Sequence, residues 1–167
     1  MEITAGMVKT LREQSGAGIM DCRNALKTTD GNIEKALEIL KEKGLLKAQK
    51  RASRATGSGL VECYVHTAGR IAAMVEINCE TDFVARTDEF KDLAHSLAMQ
   101  VAAMAPVCVA KENAPEGGEA VSDEACLMLQ PYIKDPTKTI NDVIAETIAK
   151  TGENIKVRRF HRYELGN

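Results

Sequence analysis

The residues able to do metal or acid–base chemistry are few and widely spaced. Cys63 and His66 have the spacing of a metal-ligand pair, but residues three apart on a strand point to opposite faces and cannot share one ion without distortion. His95 and His161 have no nucleophile near them in the sequence, and such histidines are usually surface or packing residues. The pattern predicts neither an enzyme nor a metal site; an enzyme using Cys63 and His66 stays an open alternative.

Sequence signatures for binding a nucleotide phosphate are also missing. No G-x-x-x-x-G-K-[ST] segment occurs, and Gly16 and Gly18 give only a fragment of a G-x-G-x-x-G pattern, placed after a helix rather than a strand. The five cysteines form an odd set with no C-x-x-C pair, which argues against a disulfide framework or a zinc ribbon. We expect no cofactor, and we expect the cysteines to be mostly buried.

The overall composition is that of a folded soluble protein, with 44% hydrophobic and 28% charged residues. Lys and Arg number 22 against 24 Asp and Glu, so the net charge of −2 gives no global attraction to nucleic acid or to an anionic membrane. No apolar run is long enough for a membrane span, and Glu2 lies in an N-terminus without the apolar region of a secretory signal. We therefore expect a cytoplasmic protein that contacts neither membrane nor nucleic acid.

Residues 1–46 show helical periodicity interrupted by two glycine-containing turns. Thr4 is a plausible N-cap of the first helix, and Gly16 occupies a position typical of a helix C-terminus. A second helix is predicted from Ile19, and a third follows the "TDGN" turn and ends at Gly44. Three short helices with single apolar faces must bury them against one another, which predicts a compact three-helix module.

Residues 47–58 are predicted to be a basic, flexible linker, because four cations without an acid precede small residues. An extension of the third helix is the other structural interpretation of this stretch. The alternative is an RNA-binding module using residues 47–54 and three arginines near the C-terminus, although no aromatic residues alternate with the cations of the 47–54 stretch. The cations concerned are Lys47, Lys50, Arg51, Arg54, Arg158, Arg159 and Arg162.

Residues 59–167 are predicted to form an α+β core domain. Alternation in Val61, Cys63 and Val65, and again in Ile71, Ala73, Val75 and Ile77, predicts a β-hairpin. Thr87 is expected to cap a long helix that Pro106 ends. Its predicted apolar stripe comprises Phe90, Leu93, Ala94, Leu97 and Val101.

The remainder of this domain is predicted as short elements and one more helix. The pattern indicates a loop or short strand over 107–120, a helical stretch over 123–129 and a turn over 134–139. Thr139 and Asp142 resemble a capping box, opening a helix that Gly152 closes. In the last strand Phe160 falls out of phase, which indicates a bulge. The whole favours an antiparallel sheet with packed helices.

Two places present residues that a purely structural interpretation does not explain well. Ile19 and Met20 lie about 100° apart around a helix, so if Ile19 joins the core, Met20 is turned towards the polar side as an adaptable contact. The alternative places both residues at the core rim. The second place is Thr81, Asp82, Phe83 and Val84, between strand and long helix. On pattern alone Phe83 is expected beneath its own sheet, with Thr81 or Asp82 serving as a turn or cap.

Four segments, taken together, resemble the elongation factor Ts family. They are "VKTLREQSGAGIMDCRNAL" (8–26), "TDFVAR" (81–86), "CLMLQPYIKDP" (126–136) and "GENIKVRRF" (152–160), in the family's order. The resemblance implies a ubiquitin-associated-like helical module and a guanine-nucleotide exchange factor for elongation factor Tu, the GTPase that carries aminoacyl-tRNA. It implies a binding protein rather than an enzyme.

The resemblance also implies roles for the two unexplained places. Arg12, Ile19 and Met20 match family positions that contact the GTPase domain, with Ile19 in place of the more usual methionine. Residues 81–84 match the segment associated with dislodging Mg²⁺, in which the residues corresponding to Asp82 and Phe83 project towards the nucleotide site. Only one core module is present, whereas longer members have two. We therefore expect a homodimer, in which the last strand or sheet edge supplies the missing half.

Overall fold

The computed structural model describes residues 3–113 and 122–166, and it confirms the predicted α+β class. The helices are α1 (Ala5–Ser15), α2 (Ile19–Thr28), α3 (Ile33–Arg51), α4 (Asp82–Ala85), α5 (Asp88–Met104) and α6 (Ile140–Thr151). The strands are β1 (Ser58–Val65), β2 (Ile71–Cys79), β3 (Pro131–Tyr132), β4 (Asp135–Thr139) and β5 (Lys156–Glu164). No helix within the described residues is both long and apolar enough to span a membrane.

Helices α1, α2 and α3 pack around a small core of their own. The Thr4 hydroxyl accepts the Met7 N–H at 3.3 Å, and Gly16 ends α1 with a φ of 64°, as the sequence predicts. A left-handed residue at this point favours glycine, because it has no Cβ. The core of this unit consists of Leu11, Cys22, Ala25, Leu26, Ala36 and Leu40.

The predicted end of the third helix at Gly44 is wrong. Helix α3 continues through Gly44 to Arg51, so residues 47–51 of the predicted linker are helical. Ala48 packs against the core of the following domain, and Arg51 Nη1 donates to the Ile148 carbonyl at 3.2 Å. These tertiary contacts outweigh the cost of about 1 kcal/mol that glycine imposes on a helix interior.

The main sheet is antiparallel, with the strand order β1-β2-β5. Helix α5 packs against one face, and its predicted apolar stripe from Phe90 to Val101 is buried as expected. On β1, Leu60 and Tyr64 pack against this core, whereas the predicted set of Val61, Cys63 and Val65 lies on the exposed face. Of the five cysteines, Cys63 is exposed and the other four are buried.

The predicted irregularity in the last strand is a register shift. Glu76 of β2 is paired with Arg159, but the next residue, Ile77, is paired with Val157. Arg158 is the additional residue, and both arginines reach the Glu76 carboxylate, at 3.0 and 2.7 Å. Donation from Arg159, with a further contribution from Arg158, lowers the pKa of Glu76.

The segments before α6 differ from the prediction. Residues 123–129 form two short 3₁₀ turns rather than one α-helix, and most of the predicted turn over 134–139 is strand β4, paired with β3. The loop predicted over 107–120 lies partly outside the described residues. The capping box of Thr139 and Asp142 is present, and Gly152 ends α6, as predicted.

Candidate functional site

Phe83 projects from the short helix α4, which follows β2. Phe83 is 77% exposed, whereas Val84 and Ala85, the next two residues, are buried in the main core. The Thr81 hydroxyl accepts the Val84 N–H at 3.4 Å and caps the helix. The pattern-based expectation that Phe83 lies beneath its own sheet is therefore wrong. Val84, part of the predicted contact segment, is buried and packs in the main core.

Asp82, beside Phe83, is also directed outwards. Its carboxylate pairs with Arg86 at 2.7 Å, but both side chains are largely exposed. An ion pair in this setting contributes little free energy, because water screens it. Asp82 can therefore exchange Arg86 for a donor on another protein at small cost.

The carboxylate of Glu153, a residue distant in the sequence, holds the residues that precede α4 by hydrogen bonds. Glu153 Oε2 accepts the backbone N–H groups of Glu80 and Thr81, at 3.1 and 3.0 Å. Its Oε1 accepts the Thr81 hydroxyl at 2.6 Å. Glu153 lies in the "GENIKVRRF" segment, but the sequence pattern gave it no role. The one signal was its place directly after Gly152, the glycine that ends α6.

A buried thiol also contributes to the base of the segment. Cys79 Sγ donates to the Thr81 carbonyl at 3.1 Å. Burial, reinforced by the negative charge of Glu153, raises the pKa of the Cys79 thiol. The thiol therefore stays protonated and keeps its proton available for the Thr81 carbonyl.

The predicted contact residues of the N-terminal helices are exposed. Ile19 is 56% and Met20 62% exposed, so Ile19 does not join the core as one interpretation expected. Helix α2 begins at Ile19 and turns Cys22, Ala25 and Leu26 inwards. The two side chains therefore form a free apolar tip at the start of α2.

A groove of about 930 Å³ lies between the N-terminal helices and the core domain. Arg12 and Ile19 line one side, and Glu89 of α5 and Lys150 of α6 line the other. Glu89 follows shortly after the α4 segment in the chain. The structure thus brings Arg12 and Ile19 together in one groove; Met20 and Phe83 are not among its lining residues.

Most cations proposed for the RNA-binding alternative have partners within the chain. Lys47 pairs with Asp21 at 2.9 Å, and Arg54 approaches Glu80 at 3.4 Å. Arg162 donates to the Ala102 carbonyl, while Arg51, Arg158 and Arg159 make the contacts given above. Among the described residues, no cluster of three or more His, Cys, Asp or Glu side chains could hold a metal ion.

The fold places the chain in the α+β class of proteins. Three N-terminal helices precede an antiparallel sheet that is covered by helices on one face. The family model described as elongation factor TS matches residues 8–119. The chain belongs to the elongation factor Ts family, a family of translation elongation factors.

Curated relatives match over nearly the whole chain. The protein named elongation factor Ts from Thermotoga maritima is 48% identical, with 99% of this chain and 98% of the relative covered. Its namesake from Carboxydothermus hydrogenoformans is 46% identical (98% and 89% covered), and that from Coprothermobacter proteolyticus is 45% identical (99% and 100% covered). The Thermotoga alignment of 194 positions exceeds this chain's 167 residues by 27, so the relative contains at least 27 positions without a counterpart here.

Proposed function

We propose that this chain is a guanine-nucleotide exchange factor for elongation factor Tu that acts by binding and performs no covalent chemistry. The observation that carries the proposal is that Phe83 is exposed while its neighbours are held, Thr81 by hydrogen bonds and Val84 by burial in the core. An exposed aromatic ring provides a large apolar area with few rotatable bonds, so it can fill a pocket on a partner at small entropic cost. Family membership supplies the identity of the partner.

In this mechanism the N-terminal helices and the α4 segment contact different parts of the GTPase. By the family resemblance, Arg12, Ile19 and Met20 bind its GTPase domain, and they offer a cation and two exposed apolar side chains for this contact. Asp82 and Phe83 enter beside the nucleotide site, while Thr81 and Val84 hold the segment in place. The Mg²⁺ that is dislodged belongs to the GTPase and its nucleotide.

A small displacement in the GTPase is sufficient for this effect. Mg²⁺ requires near-octahedral oxygen coordination at about 2.1 Å, so a shift of a fraction of an ångström in its supporting residues weakens its binding sharply. The Mg²⁺ ion neutralises the nucleotide phosphates, and GDP dissociates faster once it is lost. By linkage, the factor and the nucleotide weaken each other's binding by the same ratio, so incoming GTP can displace the factor.

The direct test is release of fluorescently labelled GDP from elongation factor Tu, followed with and without the chain. We expect the release rate to rise with the chain's concentration to a plateau, and excess Mg²⁺ to reduce the stimulation. A release rate that is the same with and without the chain would overturn the proposal.

We also propose that two copies of the chain associate through the open face of the main sheet. Apolar and aromatic side chains from all three strands are exposed there, and β5, the predicted contact strand, is an edge strand. Charged side chains share this face, because Glu76 and Arg159 pair there beside Val61. A face with an apolar part can meet its own copy under a two-fold axis, and two such faces pack as a sandwich. The residues concerned are Val61, Val65, Met74 and Tyr163.

A further inference from the structure

Glu153 accepts three hydrogen bonds from the residues that lead into the Phe83 segment. Its two carboxylate oxygens accept two backbone N–H groups and one hydroxyl, at distances between 2.6 and 3.1 Å. Hydrogen bonds to an ionised acceptor are shorter and about twice as strong as those between neutral groups. The Phe83 segment therefore depends on a side chain that is remote in the sequence and belongs to the turn after α6.

The attachment is reciprocal. Glu80, whose N–H binds Glu153, uses its own Oε1 to accept the Asn154 N–H at 2.7 Å, and this bond lowers the pKa of Glu80. The side-chain amide of the buried Asn154 in turn donates to the Arg54 carbonyl at 2.9 Å and to the Ala52 carbonyl at 3.4 Å. Hydrogen bonds thus join three segments of the chain: the end of β2, the turn after α6, and the residues that follow α3.

Thr81 transmits this attachment to α4. Its hydroxyl hydrogen points to Glu153, which leaves the hydroxyl oxygen to accept the Val84 N–H. A hydroxyl that donates to a carboxylate becomes a better acceptor, because successive hydrogen bonds polarise one another. Glu153 therefore contributes, together with the buried Val84 and Ala85, to the orientation of α4 and to the direction in which the exposed Phe83 projects.

We propose that Glu153 is a positioning residue for nucleotide exchange, which holds Phe83 in its docking orientation before the partner arrives. This inference rests on the exchange function proposed above. A segment that is already ordered loses less conformational entropy on binding, so Glu153 favours insertion of Phe83 without touching the partner itself.

The first test uses the chain alone and is independent of the proposed function. We expect Glu153→Ala to accelerate amide hydrogen exchange of Glu80, Thr81 and Val84 about tenfold. The N–H groups of Glu80 and Thr81 lose their acceptor, and the Val84 N–H is bonded to a Thr81 hydroxyl that Glu153 no longer holds. The amide of Val75 in the core of the sheet should be unaffected. The matched control is Glu146→Ala, which removes a carboxylate of α6 that pairs with Lys138. Unchanged exchange at residues 80, 81 and 84 would overturn the inference.

The second test measures stimulated GDP release from elongation factor Tu. We expect Glu153→Ala to lower the maximal rate about tenfold and to change the half-saturating concentration less than twofold, since the N-terminal contacts are intact. Glu153→Gln should recover much of the rate, because its amide oxygen still accepts N–H groups. In the Phe83→Ala background, Glu153→Ala should cause no further loss.

An additional loss in that double variant would show that Glu153 does not act through Phe83, and it would overturn the inference. Wild-type chain without any effect on GDP release would overturn the exchange function instead. The hydrogen-exchange result would still decide whether Glu153 holds the segment.

Discussion

Two phenylalanines close together in the chain occupy opposite environments. Phe90 is fully buried in the stripe of α5, whereas Phe83 is 77% exposed. The helical spacing of apolar residues was enough to predict the position of Phe90. Periodicity could not place Phe83, because a four-residue helix has no repeat to read, and its direction depends on the long-range contact of Thr81 with Glu153.

Met20 provides a prediction at the residue scale. Because its side chain is 62% exposed, we expect Met20→Ala to leave thermal unfolding unchanged. The variant should raise the concentration for half-maximal stimulation of GDP release by about five- to tenfold, the loss typical of an apolar interface residue. Met104→Ala is the matched control, since Met104 is also exposed but lies at the end of α5. An equal effect of the two substitutions would contradict the proposed contact.

At the scale of elements, local signals predicted the starts of the helices better than their ends. Thr4, Thr87 and Thr139 each cap the helix that the sequence assigned to them, because a cap is a contact between near neighbours. The end of α3 was mispredicted since it depends on Ala48 and Arg51 meeting the core domain. Such contacts between distant segments leave no periodic signal in the sequence.

The register of β5 leads to a prediction about pH. The Arg159 and Arg158 donors depress the pKa of Glu76 in the folded chain, relative to about 4.3 for an unperturbed Glu. A depressed folded-state pKa stabilises the fold above the unfolded value, and this contribution is lost as the pH falls through the folded-state pKa. We expect Glu76→Gln to be less stable than wild type at neutral pH.

Urea unfolding of both proteins across a pH series checks this expectation. The difference in the free energy of unfolding should shrink as the pH falls below about 4. A difference that stays constant with pH would mean that the ionised Glu76 carboxylate does not stabilise the strand pairing.

At the scale of the whole molecule, the open face of the sheet predicts self-association. We expect light scattering at micromolar concentration to give about twice the chain's mass of 18.1 kDa. Met74→Glu places a carboxylate among the exposed apolar side chains of this face and should yield monomers, because burying a charge in an interface is costly. Met104→Glu, at an exposed methionine off this sheet, should remain dimeric. A wild-type monomer under these conditions would contradict the proposed dimer.

The arrangement of the whole chain gives the central claim its physical basis. The three N-terminal helices expose Ile19 and Met20, and the last of them, α3, leads into the core domain. The core domain holds the short helix from which the exposed Phe83 projects. The α+β class could be predicted from periodicity, whereas the proposed partner-binding residues follow from the family resemblance alone. The support of Phe83 by Glu153 could not, because it joins two segments far apart in the chain.

The most direct measurement is stimulated GDP release from elongation factor Tu by Phe83→Ala at saturating concentration. The substitution removes an exposed ring, so the variant should unfold at the wild-type temperature, yet its maximal rate should fall at least tenfold towards the unstimulated value. A correctly folded Phe83→Ala variant that releases GDP as fast as wild type would contradict the account.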